Sequence, residues 1–182
     1  MSKKGQQLEQ YCTNVEHAYV HLPDLNKQPK QVLRDISKLI ESLPIDHVAL
    51  VGSSLGGFYA TYFVAKYACP AVLINPAMQP WQLFKDLFGI EQIPLKVTES
   101  WTLDTDQLQQ LQSIANTRLN HADKILVLLQ QGDEVLDYRQ AQRYYSAAQP
   151  SSLILIDMDG NHAMDDFEEK LPLILEFLSA AL

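Results

Sequence analysis

The chain has 182 residues, 47% of them hydrophobic, which is enough for one packed core and short for two independent ones. Its formal charge is -8, and no block of Lys and Arg interrupts the acidic excess, which argues against a nucleic-acid or anionic-membrane surface and favours small-molecule chemistry. No stretch approaches the roughly 18 apolar residues of a membrane span, "MSKKGQQLEQ" has no apolar run behind its lysines to make a secretory signal, and two cysteines, Cys12 and Cys69, are too few for a disulfide framework, so a cytoplasmic protein is expected.

Residues 3 to 13 read as a short helix, and "HAYVHL" (17 to 22) as a strand closed by Pro23. From 29 to 42 a stronger helix is expected: Pro29 suits a first turn, Val32, Leu33, Ile36, Leu39 and Ile40 recur at helical spacing, and Pro44 stops it. "HVALVG" (47 to 52) is a continuous apolar and β-branched run, the pattern of a strand covered on both faces. The helix that follows, "GGFYATYFVAKYA", is apolar nearly all round and should be buried.

Further strands are expected at "AVLIN" (71 to 75), "KILVLLQ" (124 to 130) and "SLILID" (152 to 157). Residues 137 to 149 form a helical pattern behind Asp137 as N-cap. The last helix should start from Asp165, with Glu168 completing a capping box and Pro172 kinking or splitting it. Strands alternating with helices predict a mostly parallel sheet with helices on both faces in one domain spanning 1 to 182. The alternation lapses between Gln79 and Asn120, where Trp81, Phe84, Leu87 and Phe88, and then Leu108, Leu111, Ile114 and Ala115, form apolar helical faces. These read either as core packing or as a small apolar cap over a pocket.

"GSSLG" fits G-x-S-x-G with Gly52, Ser54 and Gly56. A strand before and a helix after are the surroundings of a nucleophile elbow, in which the serine takes a strained backbone and residues two positions either side lack bulk. As a phosphate-binding turn the segment lacks the Lys-Ser/Thr of a P-loop and the third glycine of G-x-G-x-x-G. The first oxyanion N–H would come from Leu55, the residue after the serine.

A serine hydroxyl needs a base, and the base needs an orienting acid. On an α/β-hydrolase sheet these follow in the order Ser, Asp or Glu, His, each beyond a strand end. Asp133 lies after the strand at 124 to 130 and His162 after that at 152 to 157. Rivals for the acid are Glu134, Asp137, Asp157 and Asp159, of which Asp137 is better used as a cap. His17, His21, His47 and His121 fall on strand starts or a helix end, where a plain polar role is the default. No H-E-x-x-H or C-x-x-C spacing points to a metal.

"VGSSLGGFYATY", "INPA", "LLQQGDEVLDYRQA" and "GNHAMDDFE" together resemble the YqiA-type esterases, a bacterial family of small α/β-hydrolases, from about Gln6 to the C-terminus. The resemblance implies nucleophile, acid and base at Ser54, Asp133 and His162, and hydrolysis of carboxylic esters and acyl-CoA thioesters without metal or organic cofactor. The family's first strand, which runs into a His-Gly loop, has no counterpart here. In the family it lies between the strands expected at 17 to 22 and 47 to 52, and its loop supplies the second oxyanion N–H. Either the sequence starts too late to include that strand or another segment fills its place; an unfilled gap would leave two strand edges without partners, and a poorly stable or slow enzyme, or a hydrolase-fold binding protein, would be the consequence.

Overall fold

The structure is a computed structural model that describes residues 2–13, 18–89, 93–99, 101–115 and 118–182. Four parallel strands make the central sheet, in the spatial order β1 (Leu50–Ser53), β2 (Ala71–Ile74), β5 (Ile125–Gln130) and β6 (Leu153–Asp157). Between β2 and β5 a two-residue antiparallel ladder, β3 (Leu95–Lys96) with β4 (Thr102–Leu103), lies in the segment where the alternation lapses.

Side chains on the central strands alternate between two helical layers, as a period of two requires. Ala71, Leu73, Ile125, Val127 and Leu129 face Ala60 and Val64 of α3 (Leu55–Tyr67) and Ala141 and Tyr145 of α6 (Tyr138–Ser146). Val72, Ile74, Leu126 and Leu128 face Leu8 and Cys12 of α1 (Lys3–Cys12) and Phe167, Leu171, Ile174 and Leu178 of α7 (Phe167–Ala181). β2 and β5 are buried at every position, so they read as continuous apolar runs.

The remaining helices extend the α3 layer. Val32, Ile36 and Ile40 of α2 (Pro29–Glu41) pack with Phe58, Tyr59 and Phe63 of α3. Leu108, Leu111 and Ile114 of α5 (Thr105–Ala115) join the same cluster, so this face is core. Trp81 and Phe84 of α4 (Pro80–Phe88) lie at its border, whereas Leu87 and Phe88 are exposed. No helix among the described residues is long and apolar enough to cross a membrane.

Three expectations need correction. Residues 18–22 form no strand, and His17 lies outside the described residues. Tyr19 is 91% exposed, and only Val20 of the following pair joins the cluster under α1 and α7, while Leu22 lies against Gly5. An alternating pattern without a neighbouring ladder to receive its N–H and C=O groups stays irregular. The expected outer strand, beyond the place of the family's first strand, is thus not formed, and among the described residues β1 ends the sheet, pairing with β2 alone. That edge position also leaves Leu50 and Val51 half-buried rather than covered on both faces.

The second correction concerns β1 itself, which starts at Leu50 because Ile45–His47 close into a 3-10 turn behind Pro44. The third is at the last helix. α7 begins at Phe167 behind Asp166, with no side-chain cap, because both members of the expected capping box are used elsewhere. Asp165 accepts from Asn161 Nδ2 at 2.7 Å and Glu168 from Gln7 Nε2 at 2.8 Å. Pro172 sits inside α7 without splitting it. The cap at Asp137 is formed as expected, its Oδ1 accepting from the Arg139 amide at 3.0 Å.

Burial places the energetics in the central strands. Leu73→Ala, at a fully buried position, is expected to lower the unfolding free energy by about 2–5 kcal/mol in urea melts. Tyr19→Ser should change it by less than about 0.5 kcal/mol; the reverse ranking would contradict this assignment of the core.

Candidate active site

β1 runs into α3 through a single residue, Ser54, whose φ of 52° and ψ of -118° lie where non-glycine residues pay strain. The turn is held on both sides: the Ser54 amide donates to the Ile74 carbonyl at 2.9 Å, and the Ser54 carbonyl accepts from Ala77 at 3.1 Å and Phe58 at 3.2 Å. Tightness falls on glycines differently from expectation. A Cβ at Gly52 would stand 2.5 Å from the Gly56 carbonyl oxygen, and one at Gly57 would stand 2.8 Å from Pro76 Cβ. Outside its own helix, a Cβ at Gly56 would meet only the Leu25 side chain, at an ordinary 3.6 Å. Gly57, not Gly56, is the second position where a neighbouring segment forbids a side chain.

Because all four strands are parallel, the segments following β1, β5 and β6 emerge at one edge of the sheet. There the structure brings Ser54, Asp133 and His162 together. His162 Nε2 lies 3.1 Å from Ser54 Oγ, and His162 Nδ1 lies 2.8 Å from Asp133 Oδ2. The Asp133 side chain is 2% exposed and that of His162 21%, so the carboxylate is shielded while the imidazole reaches solvent. Asp133 Oδ1 accepts from the amides of Val135 at 2.9 Å and Leu136 at 2.8 Å. Burial pushes the Asp133 carboxyl up, but the hydrogen bond from His162 and these two amides outweigh it and hold the group below the usual carboxylate range.

An acceptor-only carboxylate at Nδ1 fixes the neutral imidazole with its proton on Nδ1 and its lone pair on Nε2, towards the serine. The rivals are placed elsewhere. His21, His47 and His121 are exposed, Asp157 pairs with Lys170 at 2.8 Å, and Asp137 caps α6. Leu55 opens α3, so no helical carbonyl stands behind its amide. Among the described residues no group of His, Cys, Asp and Glu could hold a metal ion.

Sequence reasoning missed the residues that hold the histidine segment. Asn75, 2% exposed with φ 40°, follows β2 and spans two neighbours. Its Nδ2 donates to the carbonyls of Asn161 at 3.2 Å and His162 at 3.3 Å, and its Oδ1 accepts from the Gln130 amide at 3.0 Å. Gln130 repeats the pattern one strand on: its Oε1 accepts from the Asn161 amide at 2.7 Å, and its Nε2 donates to Asp166 at 2.8 Å. Glu134, a rival acid by its place in the sequence, instead accepts from the His162 amide at 2.9 Å, a bond that lowers its own carboxyl. Gly160, at φ 93°, turns the segment where a Cβ would collide with the Gln130 side chain. The available signal was a polar residue ending each of two apolar strands, "AVLIN" and "ILVLLQ".

Asn75→Ala leaves the buried Gln130 amide and the His162 carbonyl without this partner, while the Asn161 carbonyl keeps the Met164 amide. We expect a loss of about 1–3 kcal/mol in unfolding free energy and faster hydrogen exchange at the Gln130 amide. Unchanged exchange with unchanged stability would mean that this side chain holds nothing.

Comparison with known proteins identifies the fold and the family. The chain resembles Est1E from Butyrivibrio proteoclasticus, with a TM-score of 0.69 and 17% identity over 99% of this chain and 82% of that one. Est1E is also known with ferulic acid bound. Carboxylesterase CesB from Bacillus subtilis matches with a TM-score of 0.54 and 16% identity, over 88% of this chain and 70% of that one. A monoacylglycerol lipase from Paleococcus ferrophilus matches at 0.57 and 14%, over 86% and 77%. These likenesses establish the α/β-hydrolase fold. Residues 1–179 match the model of the family described as "Uncharacterised protein family (UPF0227)", the YqiA-type family that the motifs resemble, and the chain belongs to that family.

Proposed function

We propose that the protein is a serine esterase that cleaves carboxylic esters, with acyl-CoA thioesters as a second substrate class, through an acyl-enzyme on Ser54. The observation that carries this reading is the continuous hydrogen-bonded series Asp133–His162–Ser54, ending on a serine in strained backbone at the mouth of a helix. Neighbours of the same fold whose names state ester chemistry, the carboxylesterase and the lipase, support it.

In this mechanism Ser54 Oγ attacks the acyl carbon as its proton passes to His162 Nε2, which lies 3.1 Å away. Asp133, held ionised by its two backbone amides, stabilises the imidazolium without taking its proton. The Leu55 amide, at the start of α3, faces the developing oxyanion. The imidazolium then protonates the departing alcohol or thiol. Water enters by the same route, giving its proton to His162 as its oxygen attacks the acyl carbon, and release of the acid restores Ser54 Oγ–H.

A second reading, a hydrolase-fold binding protein with weak turnover, is favoured by the position of β1. It is an edge strand among the described residues, and Leu55 is the single backbone donor assigned to the oxyanion. Loss of one such donor costs about 10² to 10³ in rate in a known protease.

Ser54→Ala is expected to abolish hydrolysis of p-nitrophenyl butyrate while shifting Tm by no more than about 2 °C. Asp133→Asn should lower kcat by roughly 10⁴, because the amide presents the wrong partner to Nδ1. Activity surviving in Ser54→Ala would place the nucleophile elsewhere, and ester binding without release of p-nitrophenol by the unmodified protein would favour the second reading.

A further inference from the structure

Beside the elbow a cleft of about 670 Å³ runs between α3 and α6 under α4 and α5, within the size range of small-molecule sites. Its walls are Phe58 and Tyr62 of α3, Trp81 of α4, Ile114 of α5, and Tyr144 and Arg143 of α6. Phe58 and Trp81 meet edge to face with ring centres 6.5 Å apart. The cleft also reaches Ala77, whose amide donates to the Ser54 carbonyl, while Ser54, Leu55 and His162 do not line it.

Charge distinguishes this cleft from a simple packing defect. Arg143 is the one charged side chain lining it among the described residues. Acidic groups outnumber basic ones by 22 to 14 in the chain, yet among the described residues the Arg143 guanidinium has no ion pair or hydrogen bond. Its neighbour Arg139, on the same helix, lies 4.0 Å from Asp137. Lying near the C-terminal end of α6 gives Arg143 a modest dipole benefit, but that benefit does not require it to border an aromatic cleft. Thr61 Oγ1 and Tyr145 OH satisfy each other at 2.6 Å, and of the polar groups lining the cleft only the Arg143 guanidinium carries a charge.

We infer that this cleft binds an amphipathic carboxylate, its apolar chain or ring against the aromatic walls and its carboxylate on the planar fork of Arg143. The ligand is held without any bond being broken, so the inference stands apart from the assignment of Ser54 as nucleophile.

The test uses the full chain carrying Ser54→Ala, titrated with octanoate and with 1-octanol while tryptophan fluorescence is followed. Trp81 lines the cleft, and the other tryptophan, Trp101, is buried and bonded to Gln107. Octanoate should bind saturably and about tenfold tighter than 1-octanol. Arg143→Gln should remove that preference, Arg139→Gln should keep it, and Trp81→Phe should abolish the signal. Equal binding of acid and alcohol, no saturable binding of octanoate, a preference that survives Arg143→Gln, or equal loss in Arg139→Gln would each overturn the inference. None of these outcomes bears on whether Ser54 forms an acyl-enzyme, which the esterase assay decides separately.

Discussion

Parallel pairing of four strands is the constraint on which the rest depends. It sends every strand to the same edge, so that residues 54, 75, 133 and 162, far apart in the chain, leave the sheet as neighbours. Each strand then contributes one part. β1 delivers Ser54 in a strained turn, β5 delivers Asp133, β6 delivers His162, and β2 delivers Asn75, which joins the β5 end to the histidine segment. The strain at Ser54 is tolerated because bonds to Ile74, Ala77 and Phe58 fix the backbone on both sides of it.

The hydrogen bonds of this edge form a graded series. Backbone amides hold Asp133, Asp133 holds the imidazole, and the imidazole addresses the serine. Around them Asn75, Gln130, Asp166 and Lys170 form a support whose buried amides have partners on both ends. Such a support limits the freedom of His162, which sits on a loop rather than on a regular element. Glu134 adds a further anchor through the His162 amide, and its charge lies beside the imidazole without contacting the ring nitrogens.

Much of this was legible in the sequence because the signals were local. Continuous apolar runs marked β2 and β5, helical spacing marked α2, and G-x-S-x-G between strand and helix marked the turn. The three side chains now found together followed from their places after strand ends. What was not legible depends on partners. Among the described residues, 18–22 alternate like a strand but have no ladder to join, and β1 has a buried-strand composition yet lies at an edge. Asp165 and Glu168 have capping-box spacing, but Asn161 and Gln7 take their carboxylates. Gly57 rather than Gly56 is the restricted glycine because Pro76, from another strand's exit, packs against it.

The proposed activation of Ser54 by His162 can be read on the serine itself. A fluorophosphonate forms a stable adduct only with an activated hydroxyl, so peptide mapping by mass spectrometry after exposure of the folded chain reads the claim directly. One adduct is expected, on Ser54, formed far more slowly in His162→Ala. An unlabelled Ser54 in a folded sample, or labelling at the same rate without His162, would contradict it.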